Sequence, residues 1–255
     1  MTNRLANMGQ DKYCGLTANN HRGERHFNGV VRCIEEAMGI PLKRRKPTTY
    51  FVNSMSDLFH RDVPFGFVDK VFAVMALCPR HTFQILTKRP ERMAEYMAGR
   101  AAVSPPNVWL GTSVENQAAA DERIPHLLET AAAVRFLSCE PLLGPLTTLG
   151  LRGLNWVIVG GESGPNARPC NIDWIRAIVQ QCREAGVPCF VKQLGSHPIG
   201  RHSSGFDFRL KLKDRKGGDP AEWPEDLRLR EMPRGYSGLP RGAGEATHAT
   251  LLGGA

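Results

Sequence analysis

Six short apolar runs, most of them rich in β-branched residues, recur along this chain and limit the folds that it can adopt. The runs begin at residues 48, 82, 108, 134, 156 and 187, so their starts are 34, 26, 26, 22 and 31 residues apart. One unit of strand, turn, helix and return loop needs about 30 residues. Because such units cross over with a single hand, the pattern predicts an α/β fold with a parallel sheet.

The segments between these runs have the periodicity and the end signals of helices. Apolar side chains repeat at helical spacing after Pro64, which suits a first helical turn. Asn171 can cap the helix that follows the fifth run, and Gly186 can end it. Residues 117–128 also read as a helix, with an interruption expected at Pro125.

Polar side chains follow every run, and these strand-end residues form our candidate site. A barrel brings the carboxyl ends of all its strands to one mouth, where such proteins place their chemistry. A doubly wound sheet gathers only the few strand ends beside its switch point. We expect a parallel partial (β/α) barrel that is similar to a TIM barrel. The candidates are Asn53, Ser54, Asp57, Thr87, Lys88, Arg89, Ser113, Glu115, Glu140, Glu162, Ser163, Lys192 and Gln193.

The stretch from Trp156 to Pro169 (WVIVGGESGPNARP) shows this pattern most clearly. Its apolar run stops at two glycines, which allow a sharp turn or a close approach of the backbone to a ligand. Glu162 and Ser163 follow at the expected carboxyl end of a strand. The alternative is a plain strand-to-helix turn with a solvated glutamate.

Several of the other candidates also have a structural alternative. Asn53, Ser54 and Asp57 are residue types that favour turns closed by their own side chains. Lys88 and Arg89 can grip a phosphate or a carboxylate, or they can simply form a basic entrance to the helix at Pro90.

Glu140 follows the fourth run and precedes Pro141. A carboxylate at a strand end can accept a proton from a substrate. The same carboxylate can instead form a salt bridge with Lys88 or Lys192.

Composition places the chain among soluble proteins with a positive surface. The chain has 255 residues, a formal net charge of +8 and 42% hydrophobic residues. It contains no apolar run of the roughly 20 residues that span a bilayer and no apolar signal core near Met1. We expect a cytoplasmic protein without a membrane segment. The positive charge permits a polyanionic partner such as nucleic acid, and Lys43–Lys46 is the densest basic run.

The seven cysteines show no CxxC spacing and no regular pattern. We therefore expect neither a disulfide framework nor a metal site, and we read most of the thiols as small core residues. The expected organisation is a partial barrel over residues 1–195, an irregular extension over 196–240 and a disordered tail over 241–255. Residues 15–29 read as a loop because they are polar and rich in glycine and asparagine.

Seven segments carry a resemblance to a known family. They are FVNSMSDLFH (51–60), HTFQILTKRPERM (81–93), NVWLGTSVENQ (107–117), VRFLSCEPLLGP (134–145), WVIVGGESGPNARP (156–169), VPCFVKQLG (187–195) and DRKGGDPAEWPEDLR (214–228). In these segments the chain resembles the phage gene-product thirty-seven/sixty-eight family, a domain of unknown function. That family is in turn similar to radical S-adenosylmethionine enzymes.

The resemblance implies a radical-SAM-like barrel that binds S-adenosylmethionine beside a [4Fe–4S] cluster, which three closely spaced cysteine thiolates would hold. In the family this cysteine motif precedes a helix that corresponds here to Thr2–Met8. The chain begins at Met1, where the motif should have ended, and none of its cysteines replaces it. We expect the true start to lie upstream, with the first strand of the barrel missing. A truncated descendant without a cluster is the alternative.

The resemblance also implies roles for the candidates. Glu140 and Lys192 would be catalytic, and Thr87, Lys88, Arg89 and Gln193 would bind the substrate. The cofactor would be bound by Asn53, Ser54, Asp57, Ser113, Glu115, Glu162 and Ser163. Two functions stay open: an enzyme that modifies a substrate such as nucleic acid, and a non-catalytic module that binds nucleic acid or a protein through the mouth and Lys43–Lys46.

Overall fold

The computed structural model describes residues 15–19, 25–53, 56–99, 104–201 and 205–236. The chain forms two compact units, one of Met1–Trp109 with Gly238–Ala255 and one of Leu110–Ser237. We describe each unit by itself. The predicted tail over 241–255 and the predicted helix over Thr2–Met8 lie outside the described residues.

The described residues form eleven strands and five α-helices. Strands and helices alternate from β3 to β6, whereas no helix separates β6 from β7. The strands are β1 Thr17–Asn19, β2 Arg25–Phe27, β3 Thr49–Val52, β4 Thr82–Thr87, β5 Val108–Ser113, β6 Val134–Cys139, β7 Trp156–Gly160, β8 Cys170–Asn171, β9 Cys189–Gln193, β10 Pro198–Arg201 and β11 Asp207–Arg209. The helices are α1 Gly39–Lys43, α2 Phe65–Ala76, α3 Pro90–Ala98, α4 Gln117–Leu128 and α5 Ile172–Ala185. Short 3₁₀ turns cover Glu35–Met38, Pro220–Glu222 and Glu225–Leu227.

A six-stranded sheet confirms the fold class that the repeated runs predict. Its strand order is β3-β4-β5-β6-β7-β9, and it is parallel. All six strands begin at the predicted residue or within two residues of it. The order follows the chain without the reversal that defines a doubly wound sheet. This mixed α/β topology is consistent with a partial (β/α) barrel.

The first unit has its core around β3, β4 and the helices that follow them. One side of α2 is buried through Val68, Val71 and Met75, as the helical spacing predicts. On α3, the Tyr96 ring lies between 5.2 and 5.8 Å from the rings of Phe59, Phe65 and Phe72. Burial raises the pKa of Tyr96 to about 12, so its hydroxyl stays protonated and donates to Asp69.

Residues 15–29 contradict the prediction of a loop. Thr17–Asn19 pairs with Arg25–Phe27 as two antiparallel strands. Each strand has three residues, which is too short for an alternating apolar pattern to appear in the sequence.

The second unit has its core around β6, β7, β9 and α5. The α5 caps are those predicted: Asn171 accepts a hydrogen bond from the Asp173 amide, and Gly186 ends the helix with a φ of 66°. The expected interruption at Pro125 is wrong, because α4 continues over that residue to Leu128. Pro125 lies in the last turn, where a missing backbone donor removes only one helical hydrogen bond.

The chain after β9 packs on the second unit. β10 and β11 join β8 in a three-stranded sheet of order β11-β10-β8. Further on, Trp223 is 2% exposed and donates its indole N–H to the Gly217 carbonyl. The Arg230 guanidinium lies 5.3 Å from the Phe190 ring centre and 5.2 Å from that of Trp223. None of the described helices is long and apolar enough to cross a membrane.

Candidate functional site

Asp57 organises the strand ends of the first unit. Its carboxylate accepts four hydrogen bonds, two on each oxygen. Oδ1 accepts from the Thr87 hydroxyl at 2.7 Å and the Phe59 amide at 2.9 Å, and Oδ2 accepts from the Lys88 amide and Arg89 Nη1, both at 3.0 Å. The structure thus brings together four predicted candidates. It also shows that Asp57 clamps the loop after β3 to the end of β4, with its acceptor positions already used.

His60 lies in the same region, although the sequence analysis did not single it out. Its side chain is 13% exposed, and its Nδ1 accepts the Asp62 amide at 3.2 Å. Burial lowers the pKa of His60, and the nearby Arg89 charge lowers it further. The imidazole is therefore neutral at pH 7, with Nε2 carrying the proton. The sequence feature that could have identified His60 as a candidate is its position in FVNSMSDLFH, three residues after Asp57.

Asn53 differs from every other candidate in the first unit. Its φ is 64°, the only positive value among the described residues other than glycine. The residue is 5% exposed, and neither Oδ1 nor Nδ2 has a hydrogen-bond partner among the described residues. A buried amide without partners costs about 1–3 kcal/mol, and a left-handed backbone adds about 1 kcal/mol. The neighbouring candidate Ser54 lies outside the described residues.

Glu140, Lys192 and Gln193 come together in the second unit. The Lys192 ammonium lies 2.8 Å from Glu140 Oε2, and the Gln193 amide donates to Oε1 at 3.0 Å. The same Gln193 nitrogen donates to the Gly161 carbonyl at 2.9 Å. Glu140 is largely buried, with 15% of its side chain exposed, whereas Lys192 is half-exposed at 50%. Of the two pairings left open for Glu140, the ion pair with Lys192 is therefore present.

Glu162 forms its ion pair with Arg168, six residues further along the chain. Arg168 donates to the carboxylate through Nε at 2.7 Å, Nη2 at 3.0 Å and its backbone amide at 3.0 Å. These hydrogen bonds lower the pKa of Glu162, so the carboxylate is charged at pH 7. Glu162 is thus a turn residue held by its own loop, while Ser163 beside it is exposed.

The two glycines before Glu162 closely approach the backbone of Gln193 and Leu194. A Cβ atom on Gly161 would lie 2.3 Å from the Leu194 carbonyl oxygen, and one on Gly160 would lie 2.9 Å from that of Gln193. The ends of β7 and β9 therefore pack backbone to backbone, and glycine is needed for that contact. The sequence allowed for a close approach but did not identify what is approached.

Glu115 and Ser113 lie at the end of β5 and are both buried. Arg123 of α4 donates to Glu115 Oε2 at 3.0 Å and to the Ser113 carbonyl at 2.8 Å. The two arginines that hold these carboxylates, Arg123 and Arg168, were missed by the sequence analysis. Arg168 is within the WVIVGGESGPNARP segment, so its charge was a visible signal, whereas Arg123 depends on the geometry of a helix.

The described cysteines do not fit an iron–sulfur cluster. Cys78, Cys139, Cys170, Cys182 and Cys189 are buried, and Cys33 is exposed. Burial raises the pKa of Cys139 well above its ordinary value and that of Cys170 to about 12. The Cys189 pKa is raised by its contact with Cys182 and by burial. Cluster ligands are thiolates, and burial disfavours that form of Cys139, Cys170 and Cys189. Among the described residues no three His, Cys, Asp or Glu side chains gather as a metal site.

An open hollow of about 410 Å³ lies at the other end of β9, near Pro188. Residues from the end of α5 and from 231–234 line it, Arg183, Glu231 and Arg234 among them. None of the candidates lines this hollow, so the strand ends are the better candidate site.

The fold and the strand ends define a mixed α/β protein with a parallel sheet and polar side chains at its carboxyl edge. Comparison with protein families gives a more specific assignment. A family model described as a protein of unknown function (DUF5131) matches residues 1–221, and the chain belongs to this uncharacterised family. No curated protein and no solved structure matches the chain.

Proposed function

We propose that this protein binds S-adenosylmethionine at the carboxyl ends of its strands and acts with it on a further substrate. The side chain of Asn53 carries the proposal. Its amide is buried without partners among the described residues, on a backbone with positive φ. Strained residues and unsatisfied polar groups are concentrated at ligand sites, where the bound molecule offsets their cost.

The chemistry of the amide indicates what the ligand must offer. A primary amide presents one acceptor and two donor positions in a plane. The adenine ring presents the complement, an N6 donor beside an N7 acceptor, and asparagine binds that edge through two hydrogen bonds. The adenine ring of S-adenosylmethionine can therefore satisfy both Asn53 atoms at once.

The neighbouring strand offers positive charge for the rest of the ligand. Val52 pairs with Ile85, so the ends of β3 and β4 lie side by side. Lys88 is exposed just beyond β4, and the Arg89 side chain is 37% exposed beside Asp57. An ammonium or guanidinium in this position suits the carboxylate of the methionine moiety. The proposal includes no radical step, because the described thiols do not fit a cluster.

Calorimetric titration of the full chain with S-adenosylmethionine tests the proposal. The informative variant is Asn53→Gly, which removes the amide while keeping a residue that tolerates positive φ. We expect binding to the wild type and a 10- to 100-fold weaker affinity for the variant, since two hydrogen bonds contribute about 1–3 kcal/mol. Asn19→Gly is the matched control, because Asn19 is exposed and carries the same substitution.

Two outcomes would reject the proposed function. One is a wild-type chain that gives no heat of binding with millimolar S-adenosylmethionine. The other is equal affinity for the Asn53→Gly and Asn19→Gly variants. Separate titrations with adenosine and with methionine show which half of the ligand Asn53 recognises. We expect Asn53→Gly to weaken the binding of adenosine and to leave the binding of methionine unchanged.

A further inference from the structure

The edge strand β11 and the residue before it, Phe206, expose two aromatic rings. Phe206 is 76% exposed and Phe208 is 49% exposed. β11 pairs on one side only, with β10. The Phe208 ring lies over Gly200, where a Cβ atom would come within 2.9 Å of its Cζ atom. One face of the Phe208 ring thus packs on Gly200, which has no side chain, and the other face of the ring is exposed to solvent.

A run of basic side chains continues directly from this strand. Residues 205–216 contain five Lys or Arg and two Asp, a net charge of +3. Lys211, Lys213, Arg215 and Lys216 are all exposed. No ion pair involves these four side chains within the described part of the chain. Together Phe206, Phe208 and these four cations form what we name the β11 surface.

The acidic groups near the β11 surface are held by local partners, and Glu222 also accepts hydrogen bonds from the Lys213 and Asp214 amides. Asp207 pairs with Arg201 across the two strands at 2.8 Å, which lowers the Asp207 pKa. Asp214 accepts hydrogen bonds from the Lys216 and Gly218 amides, which lower its pKa as well. Asp214 stays charged and also interacts electrostatically with Lys216. With these carboxylates counted, residues 205–216 keep a net charge of +3 beside two exposed rings.

We infer that the β11 surface binds single-stranded nucleic acid. Unpaired bases stack on exposed aromatic rings, and the phosphates between them pair with lysine and arginine. A duplex keeps its bases stacked inside, so it would leave both rings without a partner. An acidic protein would satisfy the cations but would not require planar rings.

The other basic run of the chain lacks these features. Lys43–Lys46 lies in the first unit beside the exposed aliphatic side chains of Ile40 and Leu42, which cannot stack on bases. Within the run, the Arg44 guanidinium is held by the Thr48 hydroxyl at 2.7 Å. This run is therefore the natural control for charge alone.

Fluorescence anisotropy with a labelled 20-nucleotide thymidine strand tests the inference on the full chain. The first variant is Phe206→Leu with Phe208→Leu, which keeps apolar area and removes the ring faces. We expect its affinity to fall about 10-fold or more, the size of one lost base–aromatic stack. Phe206 is largely exposed, and leucine keeps the apolar contact of the half-exposed Phe208, so we expect the fold to be kept, which a circular dichroism melt checks.

The second variant removes charge: Lys213→Gln, Arg215→Gln and Lys216→Gln. Each phosphate contact adds about 0.7 to the slope of log affinity against log salt for single strands. We therefore expect this slope to shrink by about 2. The matched control, Lys43→Gln, Arg45→Gln and Lys46→Gln, removes the same charge from the first unit and should leave most of the slope in place.

Three results would overturn the inference. The first is no binding of the strand by the wild type at 50 mM salt. The second is equal loss in the two charge variants or no loss in the leucine variant. The third is Phe-dependent binding to vesicles with about one third phosphatidylserine but not to the strand, which would assign the surface to membranes. Asn53→Gly should still bind the thymidine oligonucleotide. A failure of the nucleic-acid inference can therefore be told apart from a failure of the proposed S-adenosylmethionine site.

Discussion

The strand ends of the two units differ in whether a buried candidate side chain has any hydrogen bond among the described residues. In the second unit, Glu115, Glu140 and Glu162 each accept hydrogen bonds from a cation or an amide of the same unit. In the first unit, Asp57 is equally well bonded, but the buried Asn53 amide has no partner among the described residues. A polar residue at a strand end is therefore not by itself a ligand site. The unsatisfied residue is the better indicator, because folding alone gives no reason to keep it.

The largest loss of stability is expected at Gly161, where the ends of β7 and β9 pack backbone to backbone. Gly161→Ala would place a Cβ atom 2.3 Å from the Leu194 carbonyl oxygen. Neither strand can move away without breaking sheet hydrogen bonds, so we expect a loss of about 3 kcal/mol or more, at the upper end for overpacking. Urea denaturation measures it. Gly66→Ala is the control, since nothing lies within 4 Å of its Cβ position. A tolerated Gly161→Ala would show that these ends can open to admit a ligand.

A smaller loss is expected when the clamp of the first unit is removed. Asp57→Ala leaves the Thr87 hydroxyl, two backbone amides and Arg89 without their shared acceptor. We expect a destabilisation of about 2–3 kcal/mol, because hydrogen bonds to a charged group are stronger than neutral ones. Thermal melts of Asp57→Ala and of the control Asp62→Ala measure the effect. The Asp62 side chain is 55% exposed, so its loss should cost little. If Asp57→Ala melts like the control but abolishes ligand binding, then Asp57 is a ligand residue and not a clamp.

The smallest effect is expected at the half-exposed pair of Glu162 and Arg168. The folded chain lowers the Glu162 pKa, so its contribution to stability is present above the unfolded-state pKa of about 4.3. That contribution is lost as the pH falls through the lower folded-state value. Glu162→Gln should therefore cost less than about 1 kcal/mol at pH 7 and nothing at low pH. Denaturation curves from pH 7 to pH 2 test this. A difference that persists at low pH would mean that the pair does not depend on charge.

The sequence predicted the sheet well because each buried parallel strand has a local signature. The six apolar runs and the caps of α5 at Asn171 and Gly186 are features of neighbouring residues. The partners of the strand-end carboxylates could not be predicted in this way. Arg123 reaches Glu115 from a helix, and Lys192 reaches Glu140 from 52 residues away. Such pairs depend on side-chain directions that spacing does not encode. That the Asn53 amide has no hydrogen-bond partner among the described residues likewise depends on positions that the sequence does not give.

The stability of Asn53→Gly with and without ligand tests the central claim most directly. Without ligand, the substitution removes a buried amide that has no partner among the described residues, a cost of about 1–3 kcal/mol, and left-handed strain of about 1 kcal/mol. Against this stands about 0.5–1 kcal/mol for the added chain entropy of glycine. We predict that urea denaturation finds the variant more stable than the wild type by about 1 kcal/mol or more. With saturating S-adenosylmethionine the order should reverse, because only the wild type gains fully from binding. A variant that is less stable than the wild type without ligand, and equally stabilised by it, would contradict the account.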